Sequence, residues 1–448
     1  MLDQKKEETM AFQITALAIF AGVFAICSIR KVHIGIFMFP IACGVGMWLA
    51  HLPLDDVVAG FPLDVLVLLV GVTYFFAIAQ VNGTIEGLIN IVISKVGSHP
   101  AALPVAFFCI AAVVSSMGSP LASLVLAPIA LPMAKRFAID PMLMAVALGC
   151  GGASGSFAPT SLFGIVTYGT AKQADIPISP FAPLLVSLGM NLVLFIGAYF
   201  VFGGRTLISG SRSSDMRASV GSMEVQQSPT SGPLTTASAE NVKLTGMQWL
   251  TCACILILGL GVIALTVSRL GANLGVLAFA FGAFLTFIDP DSGKAAIPKI
   301  DWSTVLLVGG IITFVEVLQT MGAVDLLGDG ASKIGSTILA AFIICFIGGL
   351  VSAFASTTGI LAALVPLALP LVATGEVSGW ALICSLAVCS SIVDLSPFST
   401  VGATFVAMTE ESQKERVTRL LIRWGLTMVI VGPVVLVGLL VLPASLLS

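Results

Sequence analysis

The sequence predicts an all-α integral membrane protein with ten transmembrane helices in two inverted-topology repeats of five, each with a re-entrant helical hairpin and a broken helix. Three observations carry that prediction. Residues are 57% hydrophobic and only 10% charged, with a mean hydropathy of +1.08, outside the range of soluble domains. A small, hydroxyl-rich knot interrupts the apolar sequence twice, as Val114-Ser115-Ser116-Met117-Gly118-Ser119-Pro120 and as Val351-Ser352-Ala353-Phe354-Ala355-Ser356-Thr357-Thr358-Gly359. Each knot is followed by two prolines four residues apart, Pro128/Pro132 and Pro366/Pro370, and the order of apolar segments around the first recurs around the second. Hydroxyls and helix breakers at membrane depth are tolerated where they line a cavity or are buried in protein, so a repeated pair of them points to a transport site.

The first repeat covers 1–203. Spans at about 11–28 and 33–51 are separated only by Ser28 to Val32, which makes them an antiparallel pair, each near the ~20 residues a crossing needs. The first span is expected to be retained, because Glu7 and Glu8 offset Lys5 and Lys6 and a second span follows at once. A third runs from Asp64 to about Gln80. Glu86, Asn90 and Lys95 on the otherwise apolar stretch Gly83 to Gly97 suit a helix lying along the interface. Between about 100 and 135 there are too few residues for two full crossings, so this stretch reads as a half-depth hairpin with Ser115 to Pro120 at its tip. The run at about 141–171 is interrupted by Gly149 to Ser156 and by Pro159-Thr160-Ser161, which favours unwinding over continuous helix. A span at about 180–203 closes the half.

Residues 204–244 read as a flexible linker rich in Ser, Gly, Thr, Arg and Glu. The second repeat, 245–448, restarts with spans at about 245–268, 271–289 and 302–321. An interfacial stretch from Gly322 to Gly335 follows, then a hairpin at about 337–373, a broken helix at about 378–408 and a last span at about 420–445. Individual residues repeat as well: Ser94-Lys95-Val96-Gly97-Ser98 returns as Ser332-Lys333-Ile334-Gly335-Ser336, and Pro159-Thr160-Ser161-Leu162-Phe163-Gly164 as Pro397-Phe398-Ser399-Thr400-Val401-Gly402. Five crossings per half force the second half to enter from the opposite side. This topology puts 15 of the 20 Lys and Arg on one face, which the positive-inside rule makes cytoplasmic; the linker is then cytoplasmic and both termini are outside.

Other functions are excluded by what is missing. No basic run with interleaved aromatics suggests a nucleic-acid partner. The nine cysteines sit in apolar runs without C-x-x-C spacing and His33, His51 and His99 lie near segment ends, so neither a metal site nor an enzyme's nucleophile–base pair is indicated. Two acids stand inside spans. Glu316 reads either as a functional group or as a buried protonated carboxyl, and Asp394, three residues before Pro397, reads as a cation ligand or proton carrier. The prolines also read as helix kinks, and the tip serines and threonines as small packing residues. No Lys or Arg occurs between Arg136 and Lys172 or between Lys333 and Lys414. An anion there would have to be neutralised by half-helix N-termini and co-bound cations.

This arrangement, with Ser356-Thr357-Thr358 where such transporters carry Ser-Asn-Thr, resembles the divalent anion/sodium symporter family of the ion transporter superfamily. The likeness covers nearly the whole chain except the linker. Ala59-Gly60-Phe61-Pro62 leading to Val72-Thr73-Tyr74-Phe75-Phe76-Ala77-Ile78-Ala79-Gln80-Val81-Asn82-Gly83-Thr84-Ile85 is similar to the amino-terminal signature of the bacterial malonate/dicarboxylate carrier group. The resemblance implies a homodimer in a bacterial inner membrane. In it, a body of hairpins and broken helices moves as an elevator against a fixed scaffold and imports a small dicarboxylate, malonate or a C4-dicarboxylate, with a cation. It places substrate contacts at Ser119, Pro120, Thr160, Ser161, Thr357, Thr358, Ser399 and Thr400, and oxygen ligands for a cation at Ser115, Ser119, Ser154, Ser352, Ser356, Asp394 and Ser396. Hydroxyl and carbonyl oxygens suffice for a hard cation. The tips depart from the family at Thr357, which stands in place of Asn, and at Gly118-Ser119-Pro120, which has neither Asn nor Thr after its Ser. Sodium and protons both remain open as the coupling cation, no other cofactor is implied, and a cation/proton antiporter using Asp394 or a dicarboxylate exchanger are the alternatives.

Overall fold

The computed structural model describes residues 2–30, 32–96, 100–118, 122–174, 176–204, 244–268, 274–323, 326, 336–353, 357–373 and 375–447. The linker core 205–243, most of the Gly322 to Gly335 stretch and the tip residues Ser119, Pro120 and Ser356 lie outside them. Among the described residues there is no strand, and six helices are long and apolar enough to cross a membrane, with six shorter apolar ones beside them. The chain is a multi-pass membrane protein.

The first half is α1 (Leu2–Arg30), α2 (Ile34–Trp48), α3 (Leu54–Ala59), α4 (Leu63–Val81), α5 (Thr84–Val96), α6 (Leu103–Ser116), α7 (Ala122–Arg136), α8 (Pro141–Gly155), α9 (Leu162–Gln173) and α10 (Ala182–Val201). The second is α11 (Gly246–Ser268), α12 (Leu274–Ile288), α13 (Pro290–Ala296), α14 (Trp302–Thr320), α15 (Thr337–Ser352), α16 (Thr357–Leu367), α17 (Leu369–Ala373), α18 (Gly379–Ile392), α19 (Thr400–Met408), α20 (Glu411–Leu436) and α21 (Leu442–Leu447). Three differences from the sequence reading have physical causes. Hydropathy misses the short surface helices α3 and α13, which open with Pro53 and Pro290 and carry acids in their first turns. It also misses the start of α20, nine residues before 420, because Glu411 to Arg423 is charged; Lys414 pairs there with Glu411 at 3.0 Å. Finally, Glu316 is exposed, near the end of α14, and packs its stem against Gly60, so it is not a buried carboxyl.

Three buried clusters organise the molecule. One joins α1, α2, α4, α11, α12 and α14. The second joins α5, α6, α7, α8 and α10 with Leu395 and Phe405, and the third joins α10, α15, α16, α18 and α20. The first is drawn together by two glycine crossings. A Cβ on Gly310 would lie 2.4 Å from the Gly35 carbonyl oxygen, and one on Gly71 would lie 2.3 Å from that of Gly275. Such approaches let α2 close on α14 and α4 on α12. α9 and α16 contact both this group and the others, through Phe163, Ile165, Val166, Leu361 and Ala362, and α5 adds a further contact through Ile85 and Leu88.

The arms α6, α7 and α15 have 14, 15 and 16 residues, roughly 21–24 Å at 1.5 Å per residue, short of a hydrocarbon core of about 30 Å. Their bases lie at opposite ends of α20. Lys135, at the end of α7, meets Glu410 at 3.0 Å, and Asp140 meets Arg416 at 2.7 Å, both at the start of α20. By contrast, Thr337 bonds Glu376, and the Ser378 amide donates to Ser445 of α21 at 3.3 Å.

Candidate functional site

The site is built where each broken helix stops. α8 ends at Gly155 and α9 begins at Leu162; α18 runs into a single 3-10 turn, Val393–Leu395, and α19 begins at Thr400. Both breaks are closed by a glycine stacked on carbonyls. A Cβ at Gly164 would lie 2.1 Å from the Ala158 oxygen, and one at Gly402 would lie 2.1 Å from that of Ser396, so only glycine lets the second half-helix start so close to the end of the first. Leu395, from the second break, packs against Gly149 of α8 and brings the two breaks into one body.

At the second break the hydroxyls and the acid form one network. The Thr357 hydroxyl, at the first residue of α16, lies 2.7 Å from both carboxylate oxygens of Asp394 and donates to them. The Ser352 hydroxyl, at the end of α15, sits 3.1 Å from that of Thr357. Ser396 donates to the Ala353 carbonyl at 3.4 Å. Ser399 caps α19 by accepting from the Gly402 amide at 3.1 Å, and its proton is directed at the Asp394 and Ser396 carbonyls. Thr358 is buried beside Thr357, whereas Thr400 is exposed. None of the charged side chains with a described ion pair reaches this network, since those pairs are all at the surface.

At the first break the hydroxyls are less engaged. Thr160 donates to the Ser116 carbonyl at 2.5 Å and ties the break to the hairpin arm. Ser154 donates to Cys150 of its own helix at 2.7 Å, and Ser156 to Gly152. Ser115 and Ser161 are fully buried, with hydroxyls that have no partner among the described residues. Ser115 lies beside Gly152, and a Cβ on Gly155 would fall 1.9 Å from the Ala112 oxygen, so the glycines of α8 are what allow α6 to lie against it. Gly118, at φ +100, turns the chain toward the tip.

Sequence reasoning missed Ser123, whose hydroxyl bonds the Leu148 carbonyl at 2.8 Å beside Gly152, and the unpartnered, fully buried Thr167 and Ser385 on the packed helices α9 and α18. Their signal was a hydroxyl on an otherwise apolar half-helix. An open cleft of about 740 Å³ lies elsewhere, between the ends of α7, α10 and α19 and the starts of α8 and α20.

Comparison with known proteins adds two findings. Residues 10–156 match the model of a family described as the dicarboxylate carrier protein MatC N-terminus. The crystal structure of the YdaH transporter of Alcanivorax borkumensis, described as having an unusual topology, aligns with a TM-score of 0.52 and 17% identity over 86% of each chain. At that identity the likeness is one of fold. No curated protein matches the chain.

Proposed function

We propose that this protein is a secondary active transporter that imports a small dicarboxylate, malonate or a C4-dicarboxylate, by a cation-coupled elevator mechanism. The observation that carries the reading is the joining of each helix break to the hairpin arm of its own half, through Thr160 and Ser116 in one and Thr357 and Asp394 in the other. A substrate held between such breaks meets half-helix N-termini, whose unpaired N–H groups and positive dipole ends attract carboxylates. The match of residues 10–156 to a dicarboxylate carrier model supports the substrate class.

Ten crossings in two inverted repeats, 1–203 and 245–448, with a cytoplasmic linker, fit the hairpin bases at opposite ends of α20. The equivalent seats of Gly164 and Gly402, and the paired crossings Gly35 with Gly310 and Gly275 with Gly71, support the same duplication. The cluster around α2, α4, α12 and α14 would be the scaffold of each protomer of a homodimer, and the hairpins and broken helices the moving body. A dianion in a site without Lys or Arg leaves negative charge in a low-dielectric medium, which two helix dipoles of about half a charge each offset only in part. A cation therefore travels with it, sodium on the serine and carbonyl oxygens or a proton on Asp394.

Uptake of labelled malonate and succinate into proteoliposomes, with sodium and proton gradients imposed separately, tests the reading. Accumulation driven by either gradient supports it. Exchange of sodium for protons without dicarboxylate movement would replace it with an antiporter using Asp394, and dicarboxylate counterflow indifferent to both gradients would make the protein an exchanger.

A further inference from the structure

The 740 Å³ cleft is not part of the break site. Its walls are Leu131, Ile139, Val201, Phe202 and Met408, and its polar rim is Lys135, Asp140, Glu410 and Arg416 with Gln413. The four charges balance and are joined across the halves, Lys135 to Glu410 at 3.0 Å and Arg416 to Asp140 at 2.7 Å. Three of them stay well exposed, Lys135 at 68%, Glu410 at 49% and Arg416 at 47%, so they can take a further partner. A dicarboxylate would find no net attraction in such a balanced rim; a head bearing both a phosphate and an ammonium would find the cations Lys135 and Arg416 beside the exposed anion Glu410.

The apolar side of the cleft continues along the outside of the molecule. Val201 is 75% and Val193 67% exposed, and Gly197 between them and Gly189 one turn further have nothing within 4 Å of the position a Cβ would occupy. Residues 189, 193, 197 and 201 follow at one-turn spacing, so they form a shallow apolar trough of about 18 Å down α10 that starts at the cleft. A charged mouth at the helix ends leading to an apolar trough within the membrane suits a lipid, with headgroup above and acyl chain below.

We propose that this cleft binds one phospholipid with a zwitterionic, primary-ammonium head. Lys135 and Arg416 take its phosphate, Glu410 its ammonium, and an acyl chain lies over Gly197. The lipid then bridges the α7–α8 turn of the first half and the α19–α20 turn of the second.

Native mass spectrometry of the full chain, extracted in mild detergent and re-equilibrated with phosphatidylethanolamine, phosphatidylcholine or phosphatidylglycerol, tests this. One retained phosphatidylethanolamine per chain, lost in the double variant Lys135→Gln with Arg416→Gln and weakened in Gly197→Phe but unchanged in Lys294→Gln, supports it. Gly197→Phe fills open space outside the packed core, so it keeps the test informative if the double variant folds poorly. Equal retention by wild type and both cleft variants would overturn the proposal, as would retention of phosphatidylglycerol alone. A change of oligomeric state in Gly197→Phe with lipid retention intact would assign the trough to a second copy of the chain instead.

Discussion

Replacing Thr357 by valine removes one hydroxyl and keeps the β-branched shape, so packing at the start of α16 is preserved while Asp394 loses its donor. In the native arrangement that hydroxyl lies 2.7 Å from both carboxylate oxygens. A hydrogen bond to a charged group contributes about 1.5–3 kcal/mol, and at 1.4 kcal/mol per decade the loss corresponds to roughly 10- to 150-fold in the affinity of any state that uses the ionised carboxylate. The affected quantity in proteoliposome uptake is the apparent affinity for the coupling cation, which falls if sodium is held by the ionised carboxylate and rises if a proton on Asp394 is carried, because losing the donor disfavours the ionised form. By linkage, the dicarboxylate affinity measured at subsaturating cation moves in the same direction. Thr357→Ser keeps the hydroxyl and is expected to reverse most of the change, which separates the bond from any effect of substitution at that position. The second hydroxyl in line, Ser352, is 3.1 Å from Thr357, and Ser352→Ala is expected to cost less because it acts on Asp394 only through Thr357. Wild-type cation and dicarboxylate affinities in Thr357→Val, at normal expression and melting temperature, would refute the role given to the Thr357–Asp394 pair.

The remaining predictions separate stability from transport. Ser115→Ala removes a buried hydroxyl that has no partner, so the ligand-free protein is expected to gain stability by up to about 1–3 kcal/mol in detergent unfolding while dicarboxylate uptake weakens; a variant that is both less stable and fully active would return Ser115 to packing. Gly155→Ala puts a Cβ 1.9 Å from the Ala112 oxygen and is expected to destabilise by about 1–3 kcal/mol, whereas Gly189→Ala, with open space around it, is expected to gain up to about 1 kcal/mol from helix propensity, both read as shifts in melting temperature. Asp289 caps α13, where bonds from Ser292, side chain first and then backbone amide, hold its carboxyl below the usual carboxylate range. A depressed pKa means that the cap's contribution is present above the unfolded value near 3.8 and disappears as pH falls through the lower folded value. Asp289→Ala should therefore lower the melting temperature at neutral pH and converge with wild type at strongly acid pH.

Much of the fold was legible because bilayer thickness turns length into a readable quantity. The α6 and α7 arms had to be short because 100–135 holds too few residues, and the second break falls near Pro397 as the sequence suggests; the first falls after Gly155, at Pro159-Thr160-Ser161, and not at Gly149 to Gly155, which stay helical because those glycines pack against α6 and Leu395. Legibility ended where charge and hydropathy disagree with helix boundaries, at Glu411 to Arg423, and where depth depends on tertiary packing, as for Glu316. Candidate site residues could be picked by type, but whether a hydroxyl is spent could not be. Ser154 and Ser156 bond their own helix, Ser399 is consumed as a cap, and Ser115 and Ser161 have no partner; nothing in the local sequence distinguishes these fates.

That difference bears on how two equivalent halves divide one task. Near the second break, Asp394 collects the Thr357 hydroxyl, which is itself joined to Ser352, so among the described residues the carboxylate has a donor but no paired cation. Near the first, the residue in the same place is Ser156, three before Pro159 as Asp394 is three before Pro397. Its hydroxyl turns back to Gly152, and Ser115 and Ser161 are left unpartnered. Leaving a buried hydroxyl unpaired costs about 1–3 kcal/mol, whereas a carboxylate in hydrocarbon is tolerable only with donors or a counter-charge. On the proposed function, the first half would have polar atoms that gain from an incoming oxygen ligand or ion, and the second a charge that gains from an incoming cation. Ligand and cation would each relieve a cost stored in a different half. Since Leu395 of one break packs on Gly149 of the other, relief at either would be felt by the body proposed to move, which is the physical requirement for coupling the two.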